Sequence, residues 1–391
     1  MEVRFNDKTF CFECLVNGVW RSINNCTHGI NKASSVLPSL IDRYRIEVSL
    51  SCNLKCKYCV VHTNNVSQQN TFMSIETARK IVNRYNEEVG DQGSIFIMGG
   101  EPLTNLPTVQ YIIEHAQGAS IVFTNALLLD EELISFFYKH NTYILTSLDG
   151  YNPMQNEKRF WPNVQKNFDR VTTNIKNAIK KGCKVGVSCL MHRDNLFEAE
   201  KIATYFYNEL HAQAMSFAYP HATLHHTEES DFDFSVYTEQ MKKLYIFSKR
   251  HKIYIDQIGK IVSPLFYNNP SVIGCKAGTT QRTFYPDGHE TICTKIDTLA
   301  KFSIEQYIKD LPFQSESCAD CIAKYICCGE CPWDYAIACL FGKKHERICL
   351  YRKKLILHII TDICNELSVA NDLEEANAVF EETFFPMAKN L

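Results

Sequence analysis

The chain has 391 residues, of which 45% are hydrophobic and 22% charged, and its net charge is −3. That balance excludes a disordered tail, which would be poorer in apolar residues and more lopsided in charge. It also leaves no global basic field to drive nucleic-acid or membrane binding. The 18 cysteines need a reason, and two compete: disulfides in an oxidising compartment or metal sites in a reducing one.

Residues 1–10 lack the basic stretch and apolar core of a secretory signal. No apolar run approaches the ~20 residues that span a bilayer. The expectation is a cytoplasmic protein with reduced thiols, long enough to bury a large core without disulfide staples. Metal is then the better account of the cysteines.

Taken in chain order, residues 1–42 read as a small β element, with apolar runs at 3–5 and 9–16 broken by turn signals. Residues 44–50 alternate like a strand. Residues 74–90 follow with helical spacing at Ile75, Ala78, Ile81, Val82 and Tyr85, with Ser74 as N-cap and Gly90 as C-cap. Further strands are predicted at 94–98, 120–123, 143–148, 184–190 and 214–218, and helices at 106–117, 130–140, 167–181 and 195–210. Six β units separated by helices imply a parallel sheet with right-handed crossovers. Six are too few for a closed eight-fold barrel but suit a partial one, a (βα)6 TIM-like α/β barrel. Active sites in such folds lie at the carboxyl ends of the strands.

After Pro220 this pattern stops. Residues 232–251 read as one long amphipathic helix, 271–350 as a Cys-rich segment organised by metal, and 346–369 and 373–383 as closing helices. The expected boundaries are 1–42 for the β element, 43–231 for the barrel, 232–270 for a bridging helical segment, 271–350 for the Cys-rich α+β domain and 351–391 for a helical tail.

The first predicted barrel strand runs into Cys52, Cys56 and Cys59, spaced C-x3-C-x2-C. Three thiolates on one tight loop can hold three irons of a [4Fe–4S] cube and leave a fourth iron open to a small molecule. A zinc knuckle is the competing reading, but zinc sites usually show paired C-x2-C motifs.

With Tyr58 before Cys59, this loop resembles the C-x3-C-x-aromatic-C signature of the radical S-adenosylmethionine (SAM) superfamily. Gly99, Gly100, Glu101 and Pro102 are similar to the family's GGEP motif, which receives the SAM amino group. Ser147, Leu148, Asp149 and Gly150 are similar to its S-x-D-G segment, where Ser147 would meet the ribose. Arg159 lies where relatives carry an arginine for the SAM carboxylate; its bland reading is a solvated surface arginine. Thr124 and Asn125 match a TN step found in relatives, although a plain turn explains them equally well.

A second cluster begins with Cys275 and, after Gly288, Cys293. Cys318, Cys321, Cys327 and Cys331 follow with spacing C-x2-C-x5-C-x3-C, and then Cys349. This resembles the SPASM domain, an extension with two auxiliary [4Fe–4S] clusters. The resemblance implies Cys275, Cys293 and Cys331 for the first auxiliary cluster and Cys318, Cys321, Cys327 and Cys349 for the second. Several relatives place a further cysteine about six residues after the first, where this chain has Gly278, Thr279, Thr280 and Gln281. Either another thiol substitutes or one iron is open, and an open iron could bind a thiolate of the substrate. Of the eight remaining cysteines, Cys328 and Cys339 are the best spare ligands, while Cys183 and Cys189 are expected to be packed in the core.

The resemblance implies an enzyme with three [4Fe–4S] clusters and S-adenosylmethionine. Reductive cleavage of SAM would give a 5′-deoxyadenosyl radical that takes hydrogen from the substrate. The leading expectation is a maturase of ribosomally made precursor peptides that forms a thioether or carbon–carbon cross-link. Its expected partners are a reductase, flavodoxin or ferredoxin as electron donor and a possible separate leader-binding protein, with no nucleic acid and no membrane. A peptide epimerase is an alternative. So is a sulfatase-type formylglycine maturase, but that family carries Asp after the G-x4-C cysteine and this chain has Thr294. An iron–sulfur electron carrier or a zinc-binding module would need neither GGEP nor S-x-D-G.

Overall fold

The computed structural model describes residues 3–6, 11–16, 19–22, 40–59, 71–221, 232–266, 275–296, 303–311, 315–327, 329, 331–340, 346–368, 382–383 and 387. Strands β1 (Val3–Asn6), β2 (Cys11–Val16) and β3 (Val19–Ser22) form a small antiparallel sheet. The expected helix at 373–383 lies almost wholly outside the described residues, as do Cys26 and Cys328.

The body of the chain is an α/β fold built on parallel strands: β4 (Arg43–Ser49), β5 (Ser94–Gly99), β6 (Ala119–Thr124), β7 (Tyr143–Ser147), β8 (Lys184–Leu190) and β9 (Ala214–Ala218). They lie side by side in sequence order, each parallel to the next. Sequential order with helical crossovers is what a repeated right-handed βαβ unit produces. The crossovers include α1 (Ile75–Glu88), α2 (Leu106–His115), α3 (Glu131–Lys139), the short α4 (Glu157–Phe160), α5 (Val164–Lys181) and α6 (Ala199–Asn208).

Local chemistry fixes the helix ends. Ser74 accepts from the Thr77 N–H at 3.0 Å and Asp130 from the Leu133 N–H at 2.8 Å, each satisfying one orphan donor of a first turn. Helix α5 stops at Gly182, whose φ of 100° a residue with a Cβ adopts only under strain. Helix α1 buries Ala78, Ile81, Val82 and Tyr85, the stripe an amphipathic helix lays on a sheet. It ends at Glu88 with Val89 as its cap, so Gly90 falls one residue beyond it.

The sheet does not stop at six strands. Beyond β9 it gains β10 (Tyr254–Ile255), which leads into α8 (Asp256–Phe266). Beyond β4 it gains β11 (Gln281–Phe284), parallel, and then β12 (Glu290–Thr291), antiparallel. The Cys-rich region therefore continues the barrel sheet along the β4 edge. Tyr44 of β4 packs between Tyr85 and Phe284, with ring centroids 5.2 Å from each. Arg282 holds Glu88 and Glu290 across the same junction.

Five further helices follow among the described residues: α7 (Phe234–His251), α9 (Ile304–Lys309), α10 (Lys324–Cys327), α11 (Pro332–Leu340) and the long α12 (Glu346–Ser368), the one-helix reading of 232–251 matching α7. Lys249 of α7 bridges Asp362 and Glu366 of α12 at 2.6 and 2.7 Å, and the Tyr237 and Tyr351 rings meet at 4.9 Å. No helix among the described residues is long and apolar enough to cross a membrane.

Phe284→Ala tests the junction. Its side chain is buried, so truncation should cost about 3–5 kcal/mol in denaturant unfolding. Amide exchange should quicken in β4 and β11 and stay unchanged in β8. Uniform quickening across the sheet would mean that the edge is not separately held.

Candidate active site

The carboxyl ends of β4, β5, β6 and β7 gather the first set of residues singled out by the sequence. β4 leads into the loop carrying Cys52, Cys56 and Cys59, all partly buried and unbridged by disulfides. The Leu54 N–H donates to the Cys52 sulfur at 3.4 Å and the Cys59 N–H to the Cys56 carbonyl at 3.1 Å. The loop docks on α4: the Lys57 N–H donates to the Lys158 carbonyl at 2.9 Å, and the Cys56 thiol lies 3.7 Å from the Arg159 carbonyl. Burial pushes the Cys52 thiol up to about 12 and the Cys56 thiol up to about 11, with neighbouring sulfurs adding to the rise. Thiols gathered where their own charge is disfavoured are a donor set that a cationic iron cluster satisfies, displacing their protons.

The segment after β5 is packed into this loop. A Cβ on Gly99 would stand 2.3 Å from the Ser49 carbonyl oxygen, and one on Gly100 2.5 Å from that of Ser51. The Gly100 and Glu101 N–H groups donate to those same carbonyls at 2.8 and 2.9 Å. Both glycines are thus required by the neighbouring strand end. Pro102 opens a short 3-10 turn and is buried.

Glu101 is fully buried. Its carboxylate accepts from the Leu103 N–H at 3.1 Å, the Thr124 hydroxyl at 2.7 Å and the Asn125 N–H at 2.7 Å. It therefore ties the end of β5 to the end of β6, a role the sequence reading did not give it. Burial raises its pKa to about 7 against those three donors. Because folding raises it from 4.5, the group's contribution to stability falls as pH rises through that window. Asn125 extends the tie, donating to the Asn53 side-chain oxygen at 2.7 Å in the cysteine loop.

Ser147 ends β7, paired with Ser188. Asp149, just beyond, is fully buried. Arg159 grips it through Nε at 3.0 Å and Nη2 at 2.9 Å, the Leu190 N–H donates to it at 3.0 Å, and the Tyr58 hydroxyl donates to it as well. The Arg159 guanidinium also lies over the Tyr58 ring, 5.6 Å from its centroid. The surface-arginine reading of Arg159 is corrected: the residue is buried and paired. Around Asp149, Asn156 accepts its N–H at 2.7 Å and Asn195 donates to its carbonyl at 2.8 Å, while the Tyr58 ring stacks on His192 at 6.5 Å. Asn156, His192 and Asn195 escaped the sequence reading because they stand in turns with no motif of their own.

The seven later cysteines separate in space. Cys275, Cys293 and Cys331 act electrostatically on one another, and Cys293 and Cys331 pack on Trp333 and Ile337. Cys318, Cys321, Cys327 and Cys349 form the second group, mutually coupled in the same way. Burial raises the thiol pKa of Cys275 and Cys331 in one group and of Cys327 and Cys349 in the other. The first group abuts β4, where Arg45 and Glu47 pair at 2.8 Å and the Thr294 hydroxyl donates to Glu47 at 3.2 Å. As a spare ligand for this group Cys339 fails, since it is exposed on α11, eight residues or about 12 Å along the helix from Cys331. Cys183, Cys189 and Cys364 are core residues.

Residues 46–206 match the family model described as Radical SAM superfamily. The chain carries a radical SAM domain and is an enzyme, and that domain implies a [4Fe–4S] cluster with S-adenosylmethionine. Among curated relatives it is 27% identical over 135 residues to the radical SAM cyclopropyl synthase TigE of Paramaledivibacter caminithermalis, covering 29% of this chain and 28% of that one. It is 32% identical over 145 residues to a probable GTP 3′,8-cyclase of Methanococcus maripaludis, covering 36% of this chain and 47% of that one. The chain thus spans less than half the length of either. Among solved structures, native anSMEcpe with bound AdoMet and the Cp18Cys peptide superposes with a TM-score of 0.67 at 18% identity, over 83% of this chain and 98% of that one. Streptococcus suis SuiB bound to S-adenosylmethionine gives 0.58 at 15% identity, over 79% and 76%. These likenesses establish the partial-barrel fold.

The Asp149 network carries its own test. Asp149→Asn leaves the buried Arg159 charge uncompensated and should cost about 3–5 kcal/mol of stability. Tyr58→Phe removes one hydrogen bond to a charged group and should cost about 1.5–3 kcal/mol. Chemical denaturation of both variants should rank them in that order. The reverse ranking would mean that the arginine pair is not the main contact of the carboxylate.

Proposed function

We propose that the chain is a radical SAM peptide maturase that takes hydrogen from a ribosomally made precursor peptide and forms a thioether or carbon–carbon cross-link in it. The observation that carries this reading is the separation of seven thiols into groups of three and four beside the radical SAM domain. Two auxiliary [4Fe–4S] clusters fit those donor sets, Cys275, Cys293 and Cys331 for one and Cys318, Cys321, Cys327 and Cys349 for the other. The neighbouring structures that contain peptides, anSMEcpe with Cp18Cys and SuiB with its precursor SuiA, support a peptide substrate.

Cys52, Cys56 and Cys59 would hold the radical cluster, which with SAM supplies a 5′-deoxyadenosyl radical when bound. The residues around it bind and orient. Gly99, Gly100, Glu101 and Pro102 hold the β5 end against the cysteine loop and shape the seat of the SAM amino group. Ser147, at the end of β7, would meet the ribose. Asp149 and Tyr58 fix the guanidinium of Arg159, so its remaining donors would meet the SAM carboxylate in one orientation. A closely packed site of this kind excludes water from a reactive radical. The boundaries at 43, 232, 271 and 351 describe working segments rather than separate sheets, since β11 joins the barrel.

Leader recognition would use strand addition at the β1–β3 sheet, the C-terminal helices or a separate protein. A flavodoxin, ferredoxin or reductase would supply electrons, which fits a cytoplasmic enzyme. Thr294, bound to Glu47, stands where a formylglycine maturase carries Asp, and this favours cross-linking over that chemistry.

Anaerobically reconstituted protein should hold about twelve irons per chain, four for each cube. Cys56→Ala should retain about eight and make no 5′-deoxyadenosine. Co-expression with a candidate peptide should remove two hydrogens per cross-link in its mass spectrum. An unchanged mass with altered stereochemistry would identify an epimerase instead, and a zinc-loaded, iron-free protein would overturn the reading.

A further inference from the structure

The group of Cys275, Cys293 and Cys331 offers three sulfurs to a cube with four irons. The spare cysteine on α11 is too far away and too exposed to complete it. Among the described residues, one other set of side chains stands beside Cys331. His221, Cys331 and Asp334 each present a ligand atom, all within 4.8 Å of one another. His221 follows the end of β9, the last strand of the six-unit barrel, while Cys331 immediately precedes α11 and Asp334 lies in its first turn. His221 and Asp334 lie 113 residues apart in sequence and are brought together only by the fold.

The chemistry of the pair is directional. His221 Nδ1 is 2.8 Å from Asp334 Oδ2. The Asp334 carboxylate is fully buried, whereas 32% of the His221 side chain is exposed. A buried carboxylate that accepts one ring N–H fixes the tautomer and leaves the other nitrogen as a lone-pair donor, the arrangement by which proteins orient metal-binding imidazoles. A structural histidine in the core would turn both nitrogens to protein partners. Here the ring stands beside a thiol with no sequence motif to explain its presence.

We infer that His221 is the fourth protein ligand of the auxiliary cluster held by Cys275, Cys293 and Cys331, through Nε2, with Asp334 as the positioning residue on Nδ1. This rests on the auxiliary-cluster reading above. The site is then closed by the protein: a substrate thiolate could enter only by displacing the imidazole. A neutral imidazole in place of a thiolate leaves the cluster one negative charge less, which raises its reduction potential.

The test uses the full chain with Cys52, Cys56 and Cys59 all replaced by Ala, reconstituted anaerobically and reduced, so that only auxiliary clusters remain. About eight irons are expected. Pulsed EPR with 14N- and 15N-histidine labelling should show one strongly coupled histidine nitrogen on a cluster. His221→Ala should abolish that coupling with iron content retained. His221→Cys should abolish it too and move one potential downward. Asp334→Asn should keep the coupling while shifting the same potential. No histidine nitrogen in the parent protein, or a coupling that survives His221→Ala, overturns the ligand assignment while leaving the clusters standing. Four irons or fewer in the parent protein overturns the auxiliary-cluster reading itself and the ligand with it.

Discussion

Asp149 is the point at which the site is tied together. A carboxylate with no exposure is costly unless its charge is matched. Here Arg159 matches it bidentately, and Tyr58 and the Leu190 N–H fill further acceptor positions. Those partners come from three places: the cysteine loop after β4, the short helix α4 and the strand β8. The carboxylate thereby sets the loop with Cys52, Cys56 and Cys59 against the far half of the sheet. Glu101 does the same on the near half, joining the ends of β5 and β6. Two buried acids, each held by donors from more than one element, tie the ends of β5 and β6 and the β4 and β7 loops with β8 into one surface.

The strand β4 has a comparable double role. It carries the loop with Cys52, Cys56 and Cys59 at its end, and its edge carries β11. Arg45 and Glu47 project from it toward Cys293 and Thr294. The spacing between the two thiol centres is thus set by a hydrogen-bonded ladder rather than by a linker, and a ladder of this kind does not stretch.

Much of this was readable in the chain. The six parallel strands are largely buried, several are flanked by turn residues such as Gly93, Gly118 and Asn125, and the helices between them have clear stripes and caps, as in Ser74 and Asp130. The cysteine spacings were equally plain, because ligand geometry constrains sequence distance directly. Strands β10, β11 and β12 were not readable. They hold two to four residues each, too few for a periodicity, and they exist because an existing sheet edge offers them partners. The buried work of Glu101 and Arg159 was hidden for another reason: a sequence motif says where a charged residue stands, not which donors the fold turns toward it. His221 carries no signal at all beyond its place after Pro220.

The pairing of β11 with β4 also bears on how the chain is assembled. Residue 43 meets residue 281, and residue 46 meets residue 284. During synthesis from the N-terminus, β4 is complete long before its outer neighbour exists, so that side of the sheet waits as an unpaired edge, the kind of surface that recruits stray strands. The barrel is therefore sealed last on the side nearest the cysteine loop. A nascent chain halted after the cysteine loop but before residue 281 would expose both the sticky edge and the unfilled thiols together. Folding of the Cys-rich region is in this sense the closing step that protects the radical SAM domain from its own edge.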